Sequence, residues 1–122
     1  MIAEDNIINQ KLIVNVFKIL GYSADIAANG IEAVEAVKRK NYDLIFMDIQ
    51  MPLMNGYEAT RLILEHSDGE RPWIVAMTAN AMTGDKESCF EAGMDDYITK
   101  PMKIETLVKV IKLWGEKKFP SL

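Results

Sequence analysis

Along the chain, short continuous apolar runs alternate with stretches in which apolar residues recur at helical spacing. The runs are Met1 to Ala3, Ala24 to Ala27, Leu44 to Met47, Trp73 to Met77, and Tyr97 to Ile98. Between the first two, Ile8, Leu12, Ile13, Val16, Phe17 and Leu20 form a stripe that fits one helix, and Gly21 supplies a stop after it. A shorter stripe follows at Ile31, Val34 and Val37. Further helices are predicted over 57–65, over 85–92 with Gly93 as its end, and over 104–114. Asn29 and Asp85 stand where caps would. Five β/α units result, with no internal repeat, and alternation of this kind predicts an α/β domain built on a parallel sheet. Residues 1–122 are read as one domain.

Helical crossovers between parallel strands leave helices on both faces, so a strand in the middle of the sheet is apolar throughout. The run Leu-Ile-Phe-Met before Asp48 fits that position. In open sheets of this kind ligands gather beyond the carboxyl ends of the strands, where the strand order reverses. The residues predicted to end the strands are therefore the candidate site. They are Glu4 and Asp5 after the first strand, Asp48 after the third, Thr78 after the fourth, and Lys100, followed by Pro101, after the fifth. Carboxylates brought this close raise one another's pKa, and burial adds to the effect. A hard divalent cation relieves the conflict, and Mg²⁺ favours a few carboxylates together with water and phosphate oxygens. Lys100 adds a fixed positive charge. The set describes a place for an anionic group beside a carboxylate nucleophile, the chemistry of an acyl phosphate.

Composition narrows the field. Of the 122 residues, 49% are hydrophobic, enough for a sizeable core, and the net charge is −4. The lysines do not gather into one basic block, so nucleic acid is not an expected partner. No apolar run reaches the roughly 18 residues that a membrane span needs, so no membrane insertion is expected. The single cysteine, Cys89, cannot build a disulfide framework. Both facts suit a reducing cytoplasm, and the opening residues offer no export signal. The eight methionines are read as core and loop packing.

Four segments, AEDN at 3–6, FMDIQMPLMNGYEATR at 46–61, AMTANA at 76–81 and GMDDYITKP at 93–101, together resemble the receiver domain family of response regulators over nearly the whole chain. The resemblance implies a flavodoxin-like doubly wound (βα)5 fold with strand order 2-1-3-4-5. It implies a phosphorylated aspartate at Asp48 and an acidic metal-binding pair at Glu4 and Asp5, with the backbone carbonyl of Gln50 completing the protein's ligands to Mg²⁺. Thr78 matches the hydroxyl residue that binds the transferred phosphoryl group, and Lys100 matches the lysine that pairs with its oxygens. Tyr97 matches an aromatic residue that turns inward as Thr78 moves, changing the surface around the fourth helix, fifth strand and fifth helix. Gln50 and Asn80 stand at positions that influence how water reaches the phosphoryl group. A cis bond between Lys100 and Pro101 is implied as well. The wording of the second and third segments is most similar to receivers of hybrid histidine kinases. The implied partners are a histidine kinase transmitter or a histidine phosphotransfer protein, and the implied state is a monomer or weak dimer. Family members usually carry two or three more apolar residues before the acidic pair, so the first strand is short by comparison. The chain ends soon after the fifth helix, so output is expected from another polypeptide or a removed portion.

Taken singly, each residue has a plainer reading: a lone acid is ordinarily solvated surface, Thr78 a cap, Lys100 a surface charge, and Tyr97 a half-buried aromatic. The combination is what carries chemistry. His66 lies in a polar segment and is read as exposed, not as a phosphodonor. A flavin carrier would need a hydroxyl- and glycine-rich phosphate loop where this chain has acids. A P-loop hydrolase would need G-x-x-x-x-G-K-[ST], which is absent from the sequence. An aspartate-nucleophile phosphatase would carry an acid at position 50, where Gln50 stands. The remaining alternative is a pseudo-receiver, a non-phosphorylated interaction module that keeps the fold.

Overall fold

The computed structural model describes residues 1–67, 71–79 and 85–118. Five strands alternate with five helices: β1 (Ile2–Ala3), α1 (Ile7–Ile19), β2 (Ile26–Ala27), α2 (Gly30–Arg39), β3 (Leu44–Asp48), α3 (Gly56–His66), β4 (Trp73–Thr78), α4 (Asp85–Ala92), β5 (Asp96–Thr99) and α5 (Ile104–Lys118). All strand pairs are parallel, in the order β2-β1-β3-β4-β5. That is the order the family resemblance implies. The chain steps from β1 to β2 on one side and returns to β3 on the other, so the switch point lies between β1 and β3.

The two-residue period of a strand explains how two cores form from one sheet. In β3, Ile45 and Met47 face one way and Phe46 the other. In β4, Ile74 and Ala76 oppose Val75 and Met77. The first set packs with Ala33 and Val34 of α2, Ala59 and Ile63 of α3, and Cys89 of α4. The second set packs with Ile13, Val16 and Phe17 of α1 and with Leu107, Val110 and Ile111 of α5. From Ile45 onward β3 is buried, as a central strand must be. Of the methionines, Met1, Met47, Met77, Met94 and Met102 are buried, while Met51 and Met54 lie against the core from the loop after β3.

Three helices start with the same device. The side-chain oxygens of Asn6, Asn29 and Asn55 accept from the backbone N–H three residues on, at Asn9 (3.1 Å), Glu32 (2.9 Å) and Glu58 (2.9 Å). Glu32 reaches back to accept from the Ala28 N–H at 3.1 Å, closing a capping box. The expected cap at Asp85 concerns a side chain outside the described residues. Gly21 and Gly93 follow α1 and α4 with φ of 90° and 103°, the left-handed conformation that ends a helix cheaply only at glycine.

Two positions in the sequence stripes face solvent instead of the core. Ile8 is 78% exposed and Ile31 43%. Each lies in the first turn of a helix that follows a two-residue strand. The fifth helix runs four residues past the predicted end at Trp114, and His66 is the exposed last residue of α3.

The start of α3 is locked to the end of β3. The Gly56 N–H donates to the Ile49 carbonyl at 2.8 Å, and a Cβ on Gly56 would collide with the Asp48 carbonyl oxygen and the Ile49 Cα, both backbone. Gly56→Ala is therefore expected to destabilise the protein by about 2–3 kcal/mol, measured by urea unfolding. A loss below about 0.5 kcal/mol, the range of an ordinary surface change, would show that this approach is not tight.

Candidate functional site

At the carboxyl edge of the sheet the ends of β1, β3 and β5 converge on one buried charged cluster. Glu4, one residue past β1, is fully buried, and Asp48, the last residue of β3, is 3% exposed. Asp5 beside them is exposed. Each of these three acids offers one carboxylate oxygen within 4.8 Å of the others. From the far side of the edge, the Lys100 ammonium donates to Asp48 Oδ2 at 3.0 Å and to Glu4 Oε2 and Oε1 at 3.3 and 3.4 Å. The backbone N–H of Gln50 donates to the other oxygen of Asp48 at 3.2 Å.

The lysine is aimed by the backbone. Its N–H donates to the Thr78 carbonyl at 2.7 Å, and the peptide between Lys100 and Pro101 is cis. Thr78 ends β4 one residue past Met77, the partner of Asp48 in the sheet register, and is 1% exposed. The structure thus gathers Glu4, Asp5, Asp48, Thr78 and Lys100 at one edge, as the sequence reading expected. Tyr97 stands apart from them. It lies on β5, partly buried against the core, with its ring 6.5 Å from that of Phe90 and with the Lys86 ammonium 5.7 Å from its centre. Asn80 lies outside the described residues.

One cation cannot neutralise two buried carboxylates, and the titration behaviour reflects this. Burial pushes the Asp48 carboxyl up to about 7, the nearby Glu4 adds to the rise, and Lys100 opposes it. Glu4 is also penalised by burial. Its hydrogen bonding with Asp48 and Asn9, together with Lys100, outweighs that penalty and holds it below the usual carboxylate range. For Lys100 burial acts downward, but Asp48 and Glu4 prevail and raise it. The two acids are close enough to titrate as a pair, with Asp48 pushed up and Glu4 held down.

The donor set fits a hard divalent cation. It offers carboxylate oxygens and no sulfur or imidazole, and an excess of negative charge remains after Lys100 is counted. Two participants escaped the sequence reading. The Asn9 side-chain amide donates to Glu4 Oε1 at 2.9 Å, and Gln10 Nε2 donates to the Glu4 backbone carbonyl at 2.6 Å. Their only sequence signal was a pair of amides one turn after the Asn6 cap.

Residues 1–112 match the response regulator receiver domain family. The chain is 40% identical, over its whole length, to hybrid signal transduction histidine kinase K of Dictyostelium discoideum. It is 44% identical over 92% of its length to hybrid signal transduction histidine kinase B of the same organism. It spans 11% and 6% of those proteins. Among solved structures it is similar to the receiver domain of sensor histidine kinase PA1611 from Pseudomonas aeruginosa, which has a magnesium ion coordinated in its active site cleft. The TM-score is 0.84, at 43% identity over 93% of each chain. It is also similar to a chain in the co-crystal structure of the Saccharomyces cerevisiae histidine phosphotransfer protein Ypd1 with the receiver domain of Ssk1. There the TM-score is 0.88, at 33% identity, covering 99% of this chain and 91% of the other. No helix among the described residues is long and apolar enough to cross a membrane.

The raised Asp48 makes a signed prediction. A carboxyl pushed from 3.8 up to about 7 on folding contributes a stability that is lost as pH rises through that window in the metal-free protein. Asp48→Asn removes the term. With metal chelated, the advantage of the variant over wild type is expected to be on the order of 1–3 kcal/mol larger at pH 8 than at pH 5. Urea unfolding at the two pH values checks this, and an equal advantage at both would contradict the assignment.

Proposed function

Because the chain belongs to the response regulator receiver domain family of two-component signalling, we propose that it accepts a phosphoryl group from a phosphohistidine onto Asp48 in the presence of Mg²⁺. The observation that carries this reading is the buried Asp48 carboxylate held at the switch-point edge between Glu4 and the Lys100 ammonium. Glu4, Asp5, Asp48 and the backbone carbonyl of Gln50 would hold the cation. When bound it neutralises charge on the carboxylates and on the transferring phosphoryl oxygens.

The rest is done by the chain. An oxygen of ionised Asp48 forms the new bond to phosphorus as the bond from phosphorus to the donor imidazole nitrogen breaks; the bonding pair stays with that nitrogen, and a donor ring already protonated on its other nitrogen leaves as neutral imidazole, with an acyl phosphate on the aspartate. Lys100 is placed to turn from the carboxylates to the arriving oxygens, a charge-assisted contact. Thr78, at the same edge, would donate its hydroxyl to another of them. Its shift opens room beside β4, into which Tyr97 turns from its place beside Phe90 and Lys86, altering the face formed by α4, β5 and α5. The histidine is supplied by a histidine kinase transmitter or a histidine phosphotransfer protein, and the place of action is the cytoplasm. Support for a docked partner comes from Ile7 and Ile8, 64% and 78% exposed on the first turn of α1, one residue after the acidic pair. An apolar patch beside a charged cleft suits a partner that must exclude water around the transfer.

Incubation with acetyl phosphate and Mg²⁺, followed by intact-mass measurement, is expected to add one phosphoryl group to wild type and none to Asp48→Asn. An unchanged mass in wild type would favour a pseudo-receiver. Ile8→Asp is expected to slow transfer from a phosphorylated histidine phosphotransfer protein by about tenfold or more, the loss of a buried apolar contact at an interface hot spot. Labelling of the same variant by acetyl phosphate should match wild type. Equal slowing with both donors would place Ile8 in the chemistry and not in docking.

A further inference from the structure

Glu4 is fully buried beside a second carboxylate, and a buried carboxylate must have its oxygens occupied by donors to remain in one orientation. Lys100 lies nearer Asp48, at 3.0 Å, than Glu4, at 3.3 and 3.4 Å. Of these two nitrogen donors to the Glu4 side chain the nearer is Asn9 Nδ2, at 2.9 Å to Oε1. Resting on the reading above, we propose that Asn9 is a positioning residue for the Mg²⁺ site, orienting the Glu4 carboxylate toward the cation.

Two features favour this role over simple packing. The amide is neutral, so it fixes the carboxylate without cancelling the negative charge that attracts a divalent ion, whereas an ammonium in the same place would compete with that ion. Asn9 is also held in turn. Its own N–H is capped by Asn6 Oδ1 at 3.1 Å, and the neighbouring Gln10 side chain grips the Glu4 carbonyl at 2.6 Å. The first turns of α1 thus hold Glu4 by both side chain and backbone. When Lys100 turns to a phosphoryl group, Asn9 is the donor that keeps Glu4 in place.

The test compares Mg²⁺ affinity, read by chemical-shift titration in the absence of any phosphodonor, with acetyl phosphate labelling at saturating Mg²⁺. Asn9→Leu keeps similar bulk without the donor. It is expected to weaken Mg²⁺ binding about tenfold, the usual effect of removing a group that orients a metal ligand. At saturating Mg²⁺ its labelling rate should stay within about threefold of wild type, since the interaction lost acts on cation binding. Asn9→Ser, which retains a donor, should recover part of the affinity. Asn9→Ala serves if the leucine variant does not fold. A folded Asn9→Leu or Asn9→Ala protein that binds Mg²⁺ within about twofold of wild type would overturn the inference, even if its thermal stability fell. Wild type that binds no Mg²⁺ would overturn the reading beneath it as well.

Discussion

The Lys100 ammonium, held between Asp48 and Glu4, is the contact on which the arrangement of the site depends. It joins the ends of β1, β3 and β5, residues 96 and 52 positions apart in sequence, at the point where two buried carboxylates would otherwise repel each other. A single cation does not balance two anions in a medium of low polarity, so burial pushes the Asp48 carboxyl up while hydrogen bonding and Lys100 hold Glu4 down. The fold therefore holds a charge deficit at its functional edge. A deficit of this kind weakens the metal-free protein, and the same deficit gives a divalent cation and an anionic group a reason to bind together.

That arrangement requires rigid backbone around it. Gly56 lets α3 begin against the Asp48 and Ile49 backbone, and the Lys100 N–H on the Thr78 carbonyl fixes the last strand's end against β4. Asn9 and Gln10 do the same for Glu4 from α1. Among the described residues, Asp5, Gln50, Ile7 and Ile8 form an exposed rim. Rigid support beneath and an exposed rim above suit a group that reacts with another protein's side chain, because the acceptor must be placed in advance while the donor arrives by docking.

Much of the fold was legible because strands and helices have different periods. The near-continuous apolar run ending at Asp48 specified a central strand, and the Asn caps and Gly stops marked the helices. The pattern failed in the first turns of two helices. Ile8 and Ile31 have the right spacing for a buried stripe yet are exposed, since spacing does not report what packs against a turn. At the site, the acids, the threonine and the lysine were legible as strand-end residues. Asn9 and Gln10 were not, since an amide on a helix has many possible partners and only the packed chain selects one.

By itself, the sequence determined the order of elements, the parallel sheet and the identity of the groups at its carboxyl edge, because hydrophobic period and residue type are local properties of the chain. The tertiary structure alone decided that Asp48 is buried beside a second acid, that Lys100 bridges both, and that α1 holds Glu4 while presenting Ile7 and Ile8 outward. Those outcomes depend on burial and on distances of a few ångströms between residues remote in sequence, which exist only once the strands are side by side.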